Sequence, residues 1–175
     1  SAMYQFQRPS RSSFVPLRHL SYHVREWGTP QTGVLPLFMV HGWMDVSASF
    51  QFVIDALKDD RHIIAPDWRG YGLTHPGEVD NFWFPDYLAD LDALIDHFQP
   101  EGPIDLLGHS MGAMLSHQYI TRYGKTIDAL ALSGSPLYSP LAWVIIGGLV
   151  SSTLLSRIVI PAMYLLLVRG APAPE

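Results

Sequence analysis

The sequence contains no cysteine, so disulfide bonds and thiol chemistry are excluded. Charged residues are scarce, at 15% of 175 residues, and the formal net charge is −5. The few Lys and Arg residues are scattered without a basic run, which argues against a nucleic-acid partner. The N-terminal residues also lack the apolar core of a signal peptide. Together, these absences favour a cytoplasmic location.

Between about residues 20 and 133, short apolar runs alternate with amphipathic stretches. The predicted strands are 20–26, 35–40, 62–66, 104–107 and 127–132, and the predicted helices are 50–57, 84–98 and 111–123. This alternation predicts an α/β fold, a three-layer sandwich around a mostly parallel central sheet. Strand 20–26 is expected to be an outer antiparallel strand. In helix 84–98, the residues Asp86, Asp90 and Asp96 are expected to fall largely off the apolar face.

The segment 108–112, Gly-His-Ser-Met-Gly, has the G-x-S-x-G pattern of a nucleophile elbow. It places Ser110 on a sharp turn between an apolar strand and a helix. Gly108 and Gly112 fit this turn because side chains there would collide with the neighbouring strand and helix. The turn would expose the Ser110 hydroxyl and aim the Met111 amide at the same spot. His109 is expected to pack beneath or beside the turn.

Two further motifs follow predicted strands, and ligands collect at the carboxyl ends of parallel strands. These motifs are 41–43, His-Gly-Trp, and 67–72, Asp-Trp-Arg-Gly-Tyr-Gly. Asp67 and Arg69 are expected to hold the second loop through local hydrogen bonds. Trp43, like the other tryptophans near these motifs, would either line an acyl pocket or serve in packing.

The three motifs, in this order and spacing, resemble the α/β-hydrolase fold superfamily over about residues 18–136. The match looks most like the esterase, epoxide hydrolase, haloalkane dehalogenase and haloperoxidase branch. Epoxide hydrolases and dehalogenases use an aspartate nucleophile, so Ser110 implies an acyl-transferring serine hydrolase instead. The resemblance implies an oxyanion hole formed by the Trp43 and Met111 amides, with His41 and Gly42 shaping its loop. It implies no metal and no organic cofactor.

The catalytic acid and base are harder to place, because this family orders them as Ser, then Asp or Glu, then His. After Ser110, the acidic residues are Asp128 and Glu175, and the histidine is His117. Helical spacing turns His117 away from the hydroxyl, and Asp128 opens a strand at the wrong end of the sheet. The chain is therefore expected to be a fragment, or a truncated form that is silent or completed by another chain. An upstream base, such as His41 or His75, is the weaker alternative.

The C-terminal segment is unusually apolar, with no charged side chain between Asp128 and Arg157. We expect a hydrolase core at 1–136, followed by a cap-like or association segment at 137–175. Residues 137–170 could cover the active site, form a homo-oligomer contact or contact a membrane. Proline residues at positions 136, 140 and 161 favour the first two over insertion.

Three functional hypotheses follow. The leading one is a serine hydrolase that cleaves small, fairly apolar carboxylic esters through an acyl-enzyme on Ser110. The second is a catalytically silent α/β-hydrolase-like scaffold that self-associates through its apolar C-terminal segment. The third is a membrane-associated hydrolase-like protein.

Overall fold

The computed structural model describes residues 4–75, 77, 81–123 and 127–133, the last five of these by their backbone alone. The strands are β1 Arg11–Leu17, β2 Leu20–Trp27, β3 Leu37–Val40, β4 Ile63–Pro66, β5 Ile104–His109 and β6 Ile127–Ser133. The α-helices are α1 Gln51–Ala56, which a 3-10 turn precedes, α2 Phe84–Phe98 and α3 Met111–Arg122. The expected cap-like segment 137–175 lies outside the described residues.

The described strands form one sheet in the order β1-β2-β4-β3-β5-β6. β1 and β2 pair antiparallel, as do β2 and β4, whereas β3 pairs parallel with β4 and β5, and β5 pairs parallel with β6. The predicted α/β fold with a mostly parallel sheet is therefore confirmed. Strand 20–26 is antiparallel as expected, but β1 lies outside it. Sequence reasoning missed β1 because most of its side chains are exposed and it contains Pro16, which only an edge strand tolerates well.

Both faces of the sheet are covered, which gives the three layers. Phe38 and Val40 of β3 pack into a core shared with α2 and α3, whereas Met39 between them packs with α1. Side chains alternate across a strand, so a strand covered on both faces must be apolar throughout. Coverage of β3 on both faces explains the near-continuous apolar run at residues 35–40.

Helix α2 follows the predicted bounds, but one prediction within it is wrong. Asp90 is only 1% exposed, although it was expected to fall off the buried face. Its carboxylate accepts hydrogen bonds from Arg69 at 2.6 and 2.8 Å, from Arg18 at 2.9 Å and from the Tyr22 hydroxyl at 3.1 Å. A carboxylate with that many donors can be buried, and apolar periodicity does not reveal it.

The chain order places a crevice beside β3. The chain passes from β3 through α1 to β4 on one side, then through α2 to β5 on the other side. Such a reversal leaves open the carboxyl ends of the flanking strands, where ligands of open α/β sheets bind. Loop 41–46 after β3 and the turn after β5 meet there. None of the helices in the described ranges is long and apolar enough to cross a bilayer.

Candidate active site

Ser110 occupies a strained turn between β5 and α3. Its backbone has φ 55° and ψ −115°, in the left-handed half of conformational space that residues with a side chain rarely adopt. The amides of Ala113 and Met114 donate to the Ser110 carbonyl at 3.0 and 3.2 Å, so the first turn of α3 holds this conformation. The residue is exposed. The turn therefore presents the hydroxyl to solvent at the N-terminus of a helix.

The two glycines of the motif are required by close backbone approach. A Cβ atom on Gly108 would lie 2.5 Å from the carbonyl oxygen of Gly112. A Cβ atom on Gly112 would lie 2.2 Å from the carbonyl oxygen of Val40, on the neighbouring strand. Real Cβ contacts are never this short, so a side chain at either position would push α3 away from the sheet.

The loop after β3 rests directly against the elbow. A Cβ atom on Gly42 would lie 2.9 Å from the Cβ of Ser110 and 3.3 Å from the His109 carbonyl oxygen. The next residue, Trp43, is 64% exposed, and Met44 after it has a positive φ of 55°. Met111 opens α3 on the other side of Ser110 and is nearly buried. The sequence-predicted site residues are thus brought to one place.

His41 is buried, and both of its ring nitrogens are engaged. The Trp68 amide donates to Nε2 at 2.9 Å, so the proton resides on Nδ1 and is donated to the Gly42 carbonyl at 2.8 Å. Burial lowers the pKa of His41, outweighing the charges of Asp67 and Asp45 and the Gly42 hydrogen bond, which act in the other direction. His41 therefore has no free nitrogen with which to take a proton from Ser110.

An apolar rim surrounds the carboxyl edge of the sheet. The Tyr71 ring packs edge-on against His41 and Trp43, with centroids 5.8 and 5.9 Å apart. Several large side chains in the loops here are more than 40% exposed. They are Trp43, Met44, Leu73, Phe82 and Trp83. Exposed apolar surface of this kind occurs at ligand-binding grooves and at contacts with proteins or membranes.

Asp67 organises the loop after β4. Its carboxylate accepts the Ser47 amide at 2.7 Å, the Leu73 amide at 2.9 Å and the Nδ1 proton of His23 at 2.8 Å. Burial opposes ionisation, but these hydrogen bonds hold the pKa of Asp67 below its usual value. Asp67 thus fixes the end of the loop that carries Tyr71.

Sequence reasoning did not identify His23, which contacts Asp67 through Nδ1 and a second residue through Nε2. The Nε2 atom of this buried side chain hydrogen-bonds the hydroxyl of Ser12 on the edge strand. Ser12, His23 and Asp67 therefore form a continuous hydrogen-bonded chain. The three residues belong to three separate strands or strand ends, so no local motif could have revealed the arrangement.

The two residues after Ser110 that the sequence analysis rejected as base and acid, His117 and Asp128, make no described contact with it. His117 lies exposed on α3, and Asp128 lies exposed at the amino end of β6, away from the carboxyl edge. Within the part of the chain that the structure describes, no histidine hydrogen-bonds the Ser110 hydroxyl. His75 uses Nδ1 to accept the Gly77 amide at 3.0 Å. His109 faces a groove of about 360 Å³ on the α1 side, next to Phe50.

Metal chemistry also lacks a donor set among the described residues, since no three His, Asp or Glu side chains there are grouped to hold an ion.

The family model for the alpha/beta hydrolase fold matches residues 36–162. The chain belongs to the α/β-hydrolase fold family. This confirms the resemblance read from the three motifs, and the match includes both the loop after β3 and the elbow.

The chain is similar in sequence or structure to several known proteins. The chain is 26% identical over 125 residues to a human serine hydrolase-like protein, covering 71% of this chain and 59% of that protein. It is 31% identical over 99 residues to a cis-3-alkyl-4-alkyloxetan-2-one decarboxylase of Shewanella oneidensis, covering 55% of this chain and 31% of the enzyme. Among solved structures, the thioesterase domain from the curacin biosynthetic pathway matches with a TM-score of 0.63 and 27% identity, covering 71% of this chain and 46% of that domain. The α/β-hydrolase chain thus spans less than two thirds of each of these proteins.

Proposed function

We propose that the protein is a serine hydrolase that cleaves carboxylic esters through an acyl-enzyme on Ser110. The observation that carries this proposal is the conformation of Ser110. It is strained at φ 55°, exposed, and placed between the Gly42 loop and the first turn of α3. Strain of this kind is retained where it serves a function, here the presentation of a nucleophile.

The same arrangement supports an oxyanion hole. Attack by Ser110 on an ester carbonyl creates a negative oxygen, and one donor aimed at that oxygen is worth ~3 kcal/mol of barrier. In our proposal the donors are the amides of Met111 and Trp43. Met111 is the first residue of α3, where the free N–H groups and the helix dipole favour negative charge. Gly42 keeps the loop bearing Trp43 in contact with Ser110.

The exposed rim supports an apolar substrate. Trp43, Leu73 and Trp83 are each more than half exposed at the edge of the sheet where Ser110 lies. Burying such side chains against an acyl or alkyl chain gains about 25 cal/mol per Å² of apolar surface. The thioesterase domain that resembles this chain is named for the cleavage of an acyl compound, which is the same class of bond. We therefore propose a carboxylic ester with an apolar acyl or alcohol group as substrate.

A serine hydroxyl needs a base, and the structure describes none in contact with Ser110. In this proposal the base and its carboxylate come from residues outside the described part of the chain, or from a partner. His41 is excluded from the role because both of its ring nitrogens are engaged.

The test is labelling with a fluorophosphonate, which adds covalently to activated serines. We expect an adduct on Ser110, located by peptide fragmentation, that is absent from Ser110→Ala. Ser49→Ala is the matched control, since Ser49 is also an exposed serine but bonds only the Val46 carbonyl. An unlabelled Ser110 in a folded, full-length protein would overturn the proposal.

The alternative function is a catalytically silent scaffold. The observation that favours it is the lack of a described histidine at Ser110. In that case Ser110 stays unlabelled and ester turnover does not depend on it. Turnover that disappears in Ser110→Ala would exclude the scaffold.

A further inference from the structure

We propose that Ser12, His23 and Asp67 form a second nucleophilic site, separate from Ser110, which accepts the acyl group of small activated carboxylic esters. Among the described residues, Ser12 has what Ser110 lacks, a histidine in hydrogen-bond contact with its hydroxyl. The proposal does not depend on the activity of Ser110.

The hydrogen bonds favour the tautomer of His23 that a base requires. Oδ2 of Asp67 lies 2.8 Å from Nδ1 of His23, and the carboxylate, already holding two backbone amides, can only accept a hydrogen bond. The proton of neutral His23 therefore resides on Nδ1, and the lone pair of Nε2 faces the Ser12 hydroxyl. Nucleophile, base and orienting carboxylate follow in the order that activates a serine.

The burial pattern suits this role. His23 is fully buried and Asp67 is 2% exposed, so the base is held in one orientation. Ser12 is exposed on the edge strand β1, where a reagent can reach it. The base is thus held rigidly while the nucleophile stays accessible to a reagent. A serine nucleophile requires both conditions.

A cation lies beside the nucleophile. Arg25 is directly opposite Ser12 in the β1–β2 pairing, so the two side chains leave the same face of the sheet. One guanidinium nitrogen donates to the Ser10 hydroxyl at 2.8 Å, whereas Nε is buried without a hydrogen-bond partner among the described residues. Arg25 as a whole is only half-buried, so its positive charge, on the same face as Ser12, favours an oxyanion developing on the carbonyl oxygen of the ester.

The surroundings limit the substrate to small esters. Phe14 is 57% exposed and its ring lies 5.3 Å from that of His23, so it offers one apolar wall. The site lies on an edge strand, and Ser12 lines neither the groove beside His109 nor the cavity beside His62. Because the site offers little surface for binding, a substrate must owe its reactivity to a good leaving group, as aryl esters do.

The step conserves atoms and charge. The Ser12 oxygen forms a bond to the acyl carbon while its proton passes to Nε2 of His23. The ester C–O bond then breaks, and the departing alkoxide or phenoxide takes that proton from His23. The products are acyl-Ser12 and an alcohol or phenol. A fluorophosphonate reacts in the same sense, forming an O–P bond and releasing fluoride, and its adduct is stable enough to locate.

The test is fluorophosphonate labelling of Ser110→Ala, in which the elbow cannot react. We expect an adduct on Ser12, formed about a hundredfold faster than any adduct on Ser13, since a positioned base contributes at least that factor. Ser13 is the internal control because it is the adjacent serine and pairs with Val24, on the opposite face. Ser12 reacting no faster than Ser13 would overturn the proposal.

Two further measurements test the role of His23. In Ser110→Ala/His23→Gln, the labelling of Ser12 should fall to the level of Ser13, with folding checked by circular dichroism. If that variant does not fold, urea-unfolded Ser110→Ala replaces it, because unfolding separates Ser12 from His23. Labelling of Ser12 that persists without His23, or in the unfolded chain, would show that the histidine does not activate it. Labelling of Ser110 in the unaltered protein is scored separately, so failure of one site is distinguishable from failure of the other.

Discussion

The backbone of Gly112 passes so close to Val40 that a Cβ atom on the glycine would lie 2.2 Å from the Val40 carbonyl oxygen. Gly112 is in the first turn of α3 and Val40 ends β3. This approach fixes the depth at which α3 packs on the sheet, and it therefore fixes the height of Ser110 above the crevice.

Gly112→Ala should reduce the free energy of unfolding by about 3 kcal/mol or more, because the obstacle is backbone and cannot rotate away. The measurement is urea unfolding with linear extrapolation. Gly33→Ala is the control, since it has a positive φ of 79° but no atom within 4 Å of its Cβ position. It should cost only about 1–2 kcal/mol for the strained backbone. Equal losses in both variants would contradict the steric account.

Asp90→Asn should be strongly destabilising. Asp90 neutralises Arg69, whose side chain is 5% exposed, through contacts of 2.6 and 2.8 Å. Removing the Asp90 charge leaves the buried Arg69 guanidinium with the more distant carboxylate of Asp86, 3.5 Å away, at a cost of about 3–5 kcal/mol. Asp60→Asn removes the 3.1 Å ion pair of an 84% exposed carboxylate with Arg8 and should cost no more than about 1 kcal/mol. Urea unfolding of both variants measures the difference, and similar costs would argue against a structural role for the buried pair.

Acid should destabilise the fold through His41. Burial lowers the pKa of His41 below its ordinary 6.5. The unfolded chain therefore binds the proton more readily than the folded chain, and stability is lost as the pH falls from about 6.5 through the folded value. Asp67 acts in a lower window, because its pKa lies below its ordinary 3.8 and its contribution disappears only as the pH falls past that value.

The measurement is the unfolding free energy as a function of pH between neutrality and the carboxylate range. His41→Asn is the comparison, and it should be less stable at neutral pH yet show a flatter slope in the histidine window. An unchanged slope would assign the pH dependence to another group.

The elements with strong local patterns were predictable from the sequence. Helix α2, the apolar strand β3 and the elbow at Ser110 each depend on neighbouring residues, and the structure places them where the patterns indicated. Spacing alone also predicted that the loops after β3 and β5 would meet, because parallel strands share one carboxyl edge.

What could not be predicted depends on residues far apart in the chain. Asp90 looked like a surface acid until the fold brought Arg69 and Tyr22 to it. The contact between His23 and Asp67 spans 44 positions, and β1 is recognisable only through its pairing with β2. Polar contacts of this kind leave no periodicity in a sequence, because their energy comes from partners that only the folded chain provides.

Trp43→Ala should lower activity on esters with a long acyl chain without lowering the intrinsic reactivity of Ser110. The substitution keeps the backbone amide that we assign to the oxyanion hole but removes a 64% exposed ring that packs on Tyr71. An aryl octanoate would lose the apolar surface against which its chain packs, whereas an aryl acetate would not reach it. We expect kcat/KM for the octanoate to fall roughly tenfold, equivalent to about 1.4 kcal/mol, and that for the acetate to change less than about twofold.

Phe52→Ala is the matched control for this comparison. Phe52 is 63% exposed on α1 and packs with Tyr4 at 4.8 Å, so it is an equally exposed aromatic residue that does not belong to the apolar rim. It should leave both esters unaffected. Equal losses on both esters in Trp43→Ala would mean that the ring supports the loop carrying the oxyanion donor. In that case the chain of the substrate would have to bind elsewhere on the rim, and Leu73 and Trp83 would be the next residues to change.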